Sequence, residues 1–202
     1  MTPPRLIVGI SGASGVILGV RTLEAARRLG VETHLVMSRA AELTLAYESD
    51  LKVADVHALA DHVHGVGDMG AAISSGSFRT LGMIVVPCSI RSLSEIATGV
   101  TSSLLSRAAD VVLKERRRLV LLVRETPLHL GHLRSMVAVT EMGAVVMPPV
   151  PAFYAAPHSL DEMTAQTVGR ALDLFGLDTG DVKRWRDDGQ KPTRPRTPDK
   201  QK

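Results

Sequence analysis

The chain has 202 residues, of which 45% are hydrophobic, so it is long and apolar enough to bury the core of one domain. Its apolar runs all fall short of the roughly 20 residues that a membrane-spanning helix needs, and we expect a cytoplasmic protein without membrane contacts. A single cysteine, Cys88, excludes an intrachain disulfide and a multi-cysteine zinc site.

The formal net charge is +3, and residues 186–202 account for all of it, with six basic and three acidic side chains. Residues 1–185 therefore have a formal net charge of zero. Because only 3% of the residues are aromatic, there is little for nucleic-acid bases to stack on, and we expect no nucleic-acid partner. We predict one domain over residues 1–185 and a basic, proline-rich, disordered tail over residues 186–202.

Short apolar runs alternate with segments long enough for helices. The runs predicted to be strands are residues 6–10, 34–37, 83–87, 119–123 and 144–147. Helices are predicted over residues 16–29, over residues 38–47 with Ser38 as N-cap, and from a capping box at Ser159 and Glu162 to Gly176. Residues 65–80, rich in glycine and serine, predict a loop. The alternation predicts a doubly wound α/β domain, with a mostly parallel sheet and helices on both faces. This is the three-layer sandwich of flavodoxin-like or Rossmann-like folds, with a ligand beyond the carboxyl ends of the strands.

The first predicted strand runs through a turn of glycines and serines into the first helix. Gly9, Gly12 and Gly15 let the backbone bend and approach a ligand closely. The amides of the helix and the hydroxyls of Ser11 and Ser14 can donate hydrogen bonds to an anion. The spacing matches neither G-x-G-x-x-G nor the Walker A loop. The turn indicates a phosphate site, and a tight turn without a ligand stays open as the alternative.

Small polar residues follow the next strands as well. A dinucleotide fold places an acidic residue near the end of its second strand, whereas this chain has Ser38 there. Ser89 follows the third strand. Three strand ends with small hydroxyls favour a mononucleotide over a dinucleotide, although Ser38 as an N-cap alone is an equal alternative. Cys88 is expected to be buried, because no base neighbours it in the sequence.

A charged set suggests a second anion site. Arg107 and Lys114 are two turns apart and share one face of a predicted helix. Arg124 and Glu125 follow an apolar strand directly, and Arg170 lies on the last predicted helix. Guanidinium and ammonium groups near a carboxylate suit an acyclic phosphate. Solvated helix ends are the alternative interpretation.

Two further kinds of residue have a structural explanation from sequence alone. Tyr154 follows a proline-rich loop, where packing is the commoner role of an aromatic side chain. The candidate metal ligands are two groups of histidines, at positions 57, 62 and 64 and at positions 129 and 132. Neither histidine group has an evident full ligand set, so both are expected to be surface or structural residues and no metal site is predicted.

Six segments, in order along residues 5–185, resemble the UbiX family of flavin prenyltransferases. They are GISGASG at 9–15, YE at 47–48, PCS at 87–89, SRAADVVLKERR at 106–117, VRETPL at 123–128 and PAFY at 151–154. The resemblance implies a flavodoxin-like or Rossmann-like fold assembled as a homo-oligomer, a dodecamer in the family. It implies transfer of a dimethylallyl group from dimethylallyl phosphate to reduced FMN, without a metal. Prenylated FMN would then serve a UbiD-type decarboxylase.

The resemblance also assigns roles to residues of this chain. FMN would be held by Gly12, Ala13, Ser14, Ser38, Ser89 and Arg107. The prenyl phosphate would be held by Lys114, Arg124, Glu125, Tyr154 and Arg170. Ser14, Glu48 and Glu125 would take part in catalysis, with Ser14 and Glu48 handling protons at the flavin.

The chain departs from the family pattern at two places. Ser102 and Ser103 stand where members usually have Asp-Asn, which removes a side-chain amide, and Arg91 occupies a position that is often small or lysine. Two other functions stay open. One is an FMN-dependent decarboxylase of the cysteine decarboxylase group, for which an active-site histidine is expected. The other is a flavin carrier without catalysis, which has no need of positioned proton donors such as Glu48.

Overall fold

Six parallel strands form one sheet in the computed structural model, which describes residues 3–185. The strands are β1 (Arg5–Ile10), β2 (Glu32–Met37), β3 (His62–His64), β4 (Gly82–Cys88), β5 (Arg118–Val123) and β6 (Val145–Val146). Their order is β3-β2-β1-β4-β5-β6, and every neighbouring pair is parallel. The predicted doubly wound α/β architecture is confirmed. The tail predicted for residues 186–202 lies outside the described residues.

Helices cover both faces of this sheet. Within residues 3–185 they are α1 (Val16–Arg28), α2 (Arg39–Glu48), α3 (Val53–His57), α4 (Ile90–Thr98), α5 (Leu104–Lys114), α6 (Leu130–Glu141) and α7 (Leu160–Asp173). Side chains from α1, α2, α3 and α7 share one apolar core with alternate residues of the strands. The second core lies on the opposite face, under α4, α5 and α6. None of the helices in the described part is long and apolar enough to cross a membrane.

The edge strand β3 and the start of β2 differ from the prediction. β3 consists of His62, Val63 and His64, which have no apolar run to mark them, and its outer side is open to solvent. β2 begins two residues before the predicted run because Thr33 is polar but buried. Its amide donates to the carboxylate of Asp61 at 2.8 Å, and its hydroxyl donates to the same oxygen at 3.0 Å.

Helix α7 begins as predicted at Ser159, but its capping box is incomplete. The Ser159 hydroxyl accepts the amide of Glu162 at 3.1 Å. The carboxylate of Glu162 accepts the amide of His158 at 2.9 Å, one residue before the N-cap. Both bonds satisfy amides near the start of the helix, so the sequence signal locates this end correctly even though the reciprocal bond is shifted.

The crossovers change direction between β1 and β4. The chain leaves β1 for one face of the sheet through α1, and it leaves β4 for the other face through α4. Such a switch point opens a crevice at the carboxyl edge. Ser11 joins the two sides of the crevice, since its buried hydroxyl donates to the carbonyl of Pro87 at 2.9 Å and accepts the amide of Ser89 at 2.7 Å. The sequence suggests that the Ser11 hydroxyl donates a hydrogen bond to a bound anion. In the structure its hydrogen bonds are made to the backbone of the chain itself.

Candidate active site at the carboxyl edge of the sheet

A cavity of about 550 Å³ opens at the switch point. This volume lies within the range of roughly 300–1,000 Å³ that small-molecule sites usually have. Four of the residues predicted for the site line it, namely Gly12, Ser38, Ser89 and Glu125. The strand ends that the sequence indicated therefore do meet in one place.

Three helices begin at this cavity, each with a serine N-cap that lines the wall. Ser38 caps α2 by accepting the amide of Ala41 at 3.1 Å. Ser89 caps α4 and Ser103 caps α5, each through an amide at 3.3 Å. The N-terminal ends of helices carry partial positive charge and unpaired amides. Their convergence fits an anionic ligand such as a phosphate group. Ser38 is thus both an N-cap and a cavity residue.

The beginning of α1 already holds an anion that belongs to the chain. The carboxylate of Glu48, at the end of α2, accepts the amides of Gly15 at 2.8 Å and Val16 at 3.2 Å. Burial alone would raise the pKa of Glu48. Hydrogen bonds from the hydroxyl of Ser14 and from these two amides, together with the charge of Arg124, outweigh burial and hold the pKa below its ordinary value. Glu48 is therefore a carboxylate at neutral pH.

Gly12 lies where the first loop passes very close to α2. A Cβ at this position would come within 2.3 Å of the Cβ of Ala40, so only glycine allows this approach. Ala13 is next to it, with its amide donating to the carbonyl of Ser11 at 2.8 Å. Ser14 is exposed and faces Glu48. In the Gly/Ser turn, Gly12 thus lines the cavity. The amides of Gly15 and Val16, at the end of the turn, donate to Glu48.

Arg124 and Glu125 leave β5 beside the cavity. The amide of Arg124 donates to the carbonyl of Cys88 at 3.0 Å, which holds the ends of β4 and β5 together. Glu125 is exposed and lines the cavity, and one of its oxygens accepts the amide of Thr126 at 3.0 Å. Cys88 itself is fully buried, and burial raises the pKa of its thiol to about 12. The thiol is therefore not a nucleophile here.

The two cations of α5 lie at different distances from the cavity. Arg107 is one turn beyond Ser103 and pairs with Asp110 at 2.7 Å. Lys114 is the last residue of α5 and pairs with Glu115. At 1.5 Å per residue, Lys114 lies about 15 Å along the helix from Leu104, where α5 begins. The Lys114 side chain does not reach the cavity of its own chain.

Tyr154 and Arg170 lie together but on the other face of the sheet from α5. The Tyr154 ring packs edge-on against Trp185, with ring centres 5.6 Å apart, and its hydroxyl is 3.4 Å from the side-chain nitrogen of Gln166. Arg170 is one turn after Gln166 on α7 and pairs with Asp173. Because α7 packs on the core opposite to α5, a single chain does not bring Arg170 and Lys114 to one phosphate.

Several cavity residues were not predicted as site residues. Val66 and Gly67 come from the loop that follows β3, and the carbonyl of Val66 accepts the amide of Leu104 at 2.8 Å. Arg91 lines the rim and pairs with Glu95 at 2.9 Å. The sequence signals for this part of the wall are the departures from the family pattern at Arg91, Ser102 and Ser103, all of which line the cavity.

Comparisons with known proteins agree with this geometry. Residues 1–170 match the Flavoprotein family. The chain is 62% identical to the flavin prenyltransferase UbiX of Escherichia coli K12 over 174 residues, covering 86% of this chain and 92% of that protein. It is 57% identical to the UbiX of Thauera aromatica over 181 residues, covering 90% and 93%. The chain belongs to the UbiX family of flavin prenyltransferases.

Solved structures of UbiX proteins have the same fold. The crystal structure of AnUbiX in complex with FMN and dimethylallyl pyrophosphate gives a TM-score of 0.90 at 57% identity, covering 91% of this chain and 98% of that one. A dodecameric FMN-dependent UbiX-like decarboxylase from Escherichia coli O157:H7 gives 0.88 at 50% identity, covering 90% and 98%. The cysteine decarboxylase TvaF, at 13% identity and a TM-score of 0.61, shares the fold alone.

Proposed function

We propose that the chain transfers a dimethylallyl group from dimethylallyl phosphate to reduced FMN, and that the prenylated FMN passes to a UbiD-type decarboxylase. The observation that carries this proposal is the convergence of three serine-capped helix N-termini on one cavity, which Glu125 also lines. Glu48 and Ser14 line a second, smaller cavity of about 170 Å³ at the beginning of α1. Membership of the UbiX family supports the same activity.

The residues around the cavity fit the phosphate-bearing end of a flavin mononucleotide. The amides near Ser38 and Ser89 and the closely packed backbone at Gly12, Ala13 and Ser14 would hold it, with Arg107 one turn further along α5. FMN, when bound in its reduced form, supplies the nucleophilic atoms to which the allyl group becomes joined. The protein's part is to fix the orientation of the two reactants, since positioning lowers the entropic part of the barrier.

The prenyl phosphate would be held by cations of more than one subunit. Glu125 lines the cavity of its own chain and Arg124 is the residue before it, whereas Lys114 and the pair Tyr154 and Arg170 lie away from the cavity on opposite faces of the sheet. A homo-oligomer like the dodecameric relative would let neighbouring copies supply these side chains. Guanidinium and ammonium groups stabilise a departing phosphate, so the reaction would need no metal.

Glu48, Ser14 and Glu125 would move protons at the reacting atoms. Burial would raise the pKa of Glu48, but hydrogen bonds and the charge of Arg124 hold it below its ordinary value. The carboxylate is therefore ionised and able to accept a proton, which it would release again readily because it is a weak base. Ser14 donates its hydroxyl hydrogen to Glu48, which aligns the carboxylate. Glu125 lines the cavity of about 550 Å³, two residues after the end of β5. A carrier without catalysis would have no use for this arrangement.

The direct test is anaerobic incubation of the full chain with reduced FMN and dimethylallyl phosphate, followed by mass analysis of the released flavin. A mass increase of one dimethylallyl group less one hydrogen is expected, because the flavin loses a proton as the phosphate leaves. A parallel reaction with dimethylallyl pyrophosphate measures the preference between the two donors. Unchanged flavin with either donor would contradict the proposal. Decarboxylation of a peptidyl cysteine in a matched reaction would favour the alternative enzyme class.

A further inference from the structure

A group of histidines and one glutamate lies on β2 and β3, away from the cavity. Glu32 and His34 are on β2, and His62 and His64 are on β3. We call these four residues the histidine cluster. The parallel register pairs His34 with His62, so the cluster occupies one face of the two strands. His34 is buried, whereas His62 is half exposed at the edge of the sheet.

The ligand atoms of three cluster residues converge on one carboxylate oxygen. Oε1 of Glu32 is 3.1 Å from Nε2 of His34 and 3.5 Å from Nε2 of His62. All three ligand atoms lie within 4.8 Å of one another. In a tetrahedral zinc site each ligand atom is about 2.0–2.1 Å from the metal, which places neighbouring ligand atoms about 3.3 Å apart. The distances from Oε1 of Glu32 to the two histidine nitrogens, 3.1 and 3.5 Å, are close to this value.

We propose that Glu32, His34 and His62 bind one divalent transition metal ion of the zinc type. Two imidazoles and one carboxylate form a ligand set that zinc, cobalt and nickel accept, whereas calcium and magnesium prefer oxygen ligands alone. The rings of His34 and His62 are stacked, with centres 4.6 Å apart. Because the His62 side chain is half exposed, its ring can rotate so that Nε2 contacts the ion.

The surroundings of the cluster support metal binding by orienting the buried imidazole. Nδ1 of His34 is 3.0 Å from Nε2 of His64, so the second ring nitrogen of this ligand has a partner that fixes the ring. Arg5 also donates to Oε1 of Glu32, at 2.9 Å. The positive charge of Arg5 opposes a second cation at this oxygen, so the two imidazoles must supply most of the affinity for the ion.

The position of the cluster indicates a structural role rather than a catalytic one. His34 precedes the cavity residue Ser38 by four positions, or about 13 Å along the strand. A bound ion would join the three-residue edge strand β3 to β2. The loop that supplies Val66 and Gly67 to the cavity wall begins directly after β3. The ion would therefore stabilise the strand from which this wall extends.

The test is calorimetric titration of the full, chelator-treated chain with zinc chloride, together with thermal unfolding with and without zinc. Wild type should bind one ion per chain and unfold at a higher temperature when zinc is present. His62→Ala, at a half-exposed position that folding tolerates, should weaken zinc binding by about tenfold or more and lose the temperature shift.

His158→Ala is the matched control, because this exposed histidine lies outside the cluster and its loss should leave zinc binding unchanged. Glu32→Gln is a second variant of the cluster and should also weaken binding. Equal zinc affinity of wild type and His62→Ala would overturn the proposal, as would the absence of any zinc-dependent temperature shift in wild type.

Discussion

Glu48 is the last residue of α2, and its carboxylate accepts hydrogen bonds from amides at the beginning of α1. It accepts the amides of Gly15 and Val16 and carries the negative charge that a helix N-terminus favours. The same carboxylate has Ser14 and Arg124 as neighbours. One side chain therefore contributes to stability and is placed to act on protons, and the two contributions can be measured separately.

Replacing Glu48 by Gln should slow product formation while both ligands still bind. Loss of a general acid or base typically reduces a rate by about 10²–10⁴. Single-turnover reactions with reduced FMN and dimethylallyl phosphate measure this rate directly. Glu141→Gln, at the exposed last residue of α6, is the control and should react like wild type. A wild-type rate in Glu48→Gln would remove this residue from the mechanism.

The lowered pKa of Glu48 also predicts how stability depends on pH. The unfolded chain binds this proton near pH 4.5, and the folded chain binds it only at lower pH. The stabilisation by ionised Glu48 is therefore complete above about pH 4.5 and is lost as the pH falls through the folded pKa. Urea unfolding of wild type and Glu48→Gln should give a difference in free energy that shrinks over this window. A difference that grows toward acid would contradict the assignment.

At the scale of elements, helix α5 begins with a capping box made of two serines. The hydroxyl of Ser103 accepts the amide of Ser106, and the hydroxyl of Ser106 accepts the amide of Ser103, both at 3.3 Å. The resemblance to the UbiX family implies an asparagine at this position, and the serine of this chain keeps the N-cap. Ser103 lines the cavity but offers no side-chain amide to a ligand.

Two substitutions of Ser103 should separate these effects. Ser103→Ala removes the cap and should lower the free energy of unfolding by about 0.5–2 kcal/mol. Ser103→Asn keeps a cap and adds an amide, so stability should hold while FMN binds a few-fold more tightly, as expected for a neutral hydrogen bond of about 0.5–1.5 kcal/mol. Thermal melts and FMN titrations measure both. Ser102→Ala, on the same wall but outside the cap, should leave the melting temperature unchanged.

Sequence alone predicts the elements whose signal is local. Buried strands such as β4 and β5 have continuous apolar runs, so their ends are correct within one residue. β3 has no such run, because its His-Val-His sequence is held by pairing with β2 rather than by burial of its own. The same limit applies to the site. Ser38 and Ser89 follow strands directly, whereas Val66 joins the cavity through a bond to Leu104, 38 positions later.

At the scale of the whole molecule, the proposed phosphate ligands are divided between the two faces of the sheet. Lys114 and Arg170 belong to helices on opposite cores, so each site would need more than one copy of the chain. Lys114→Ala should weaken use of dimethylallyl phosphate by about 1.5–3 kcal/mol and leave FMN binding nearly intact. Steady-state kinetics and FMN titration distinguish the two effects.

Mixed oligomers test directly whether Lys114 acts at the cavity of a neighbouring copy of the chain. Co-expression of Lys114→Ala with Glu48→Gln should recover part of the activity, because some sites would combine an intact cavity with an intact neighbouring lysine. Co-expression of Glu48→Gln with Glu125→Gln is the control, since Glu48 interacts with Arg124 and Glu125 is the next residue of the same chain. A mixture no more active than the sum of its separate variants would show that Lys114 acts within its own chain.

The two ends of the sheet limit how copies of this chain can meet. β3 has three residues and β6 has two, so neither border offers a row of backbone groups long enough to pair with a strand of another molecule. Within the described residues, a sheet that continues from one copy into the next is therefore disfavoured as a mode of assembly. We expect copies to join through helices and loops, where side chains can contribute both to subunit contact and to substrate recognition.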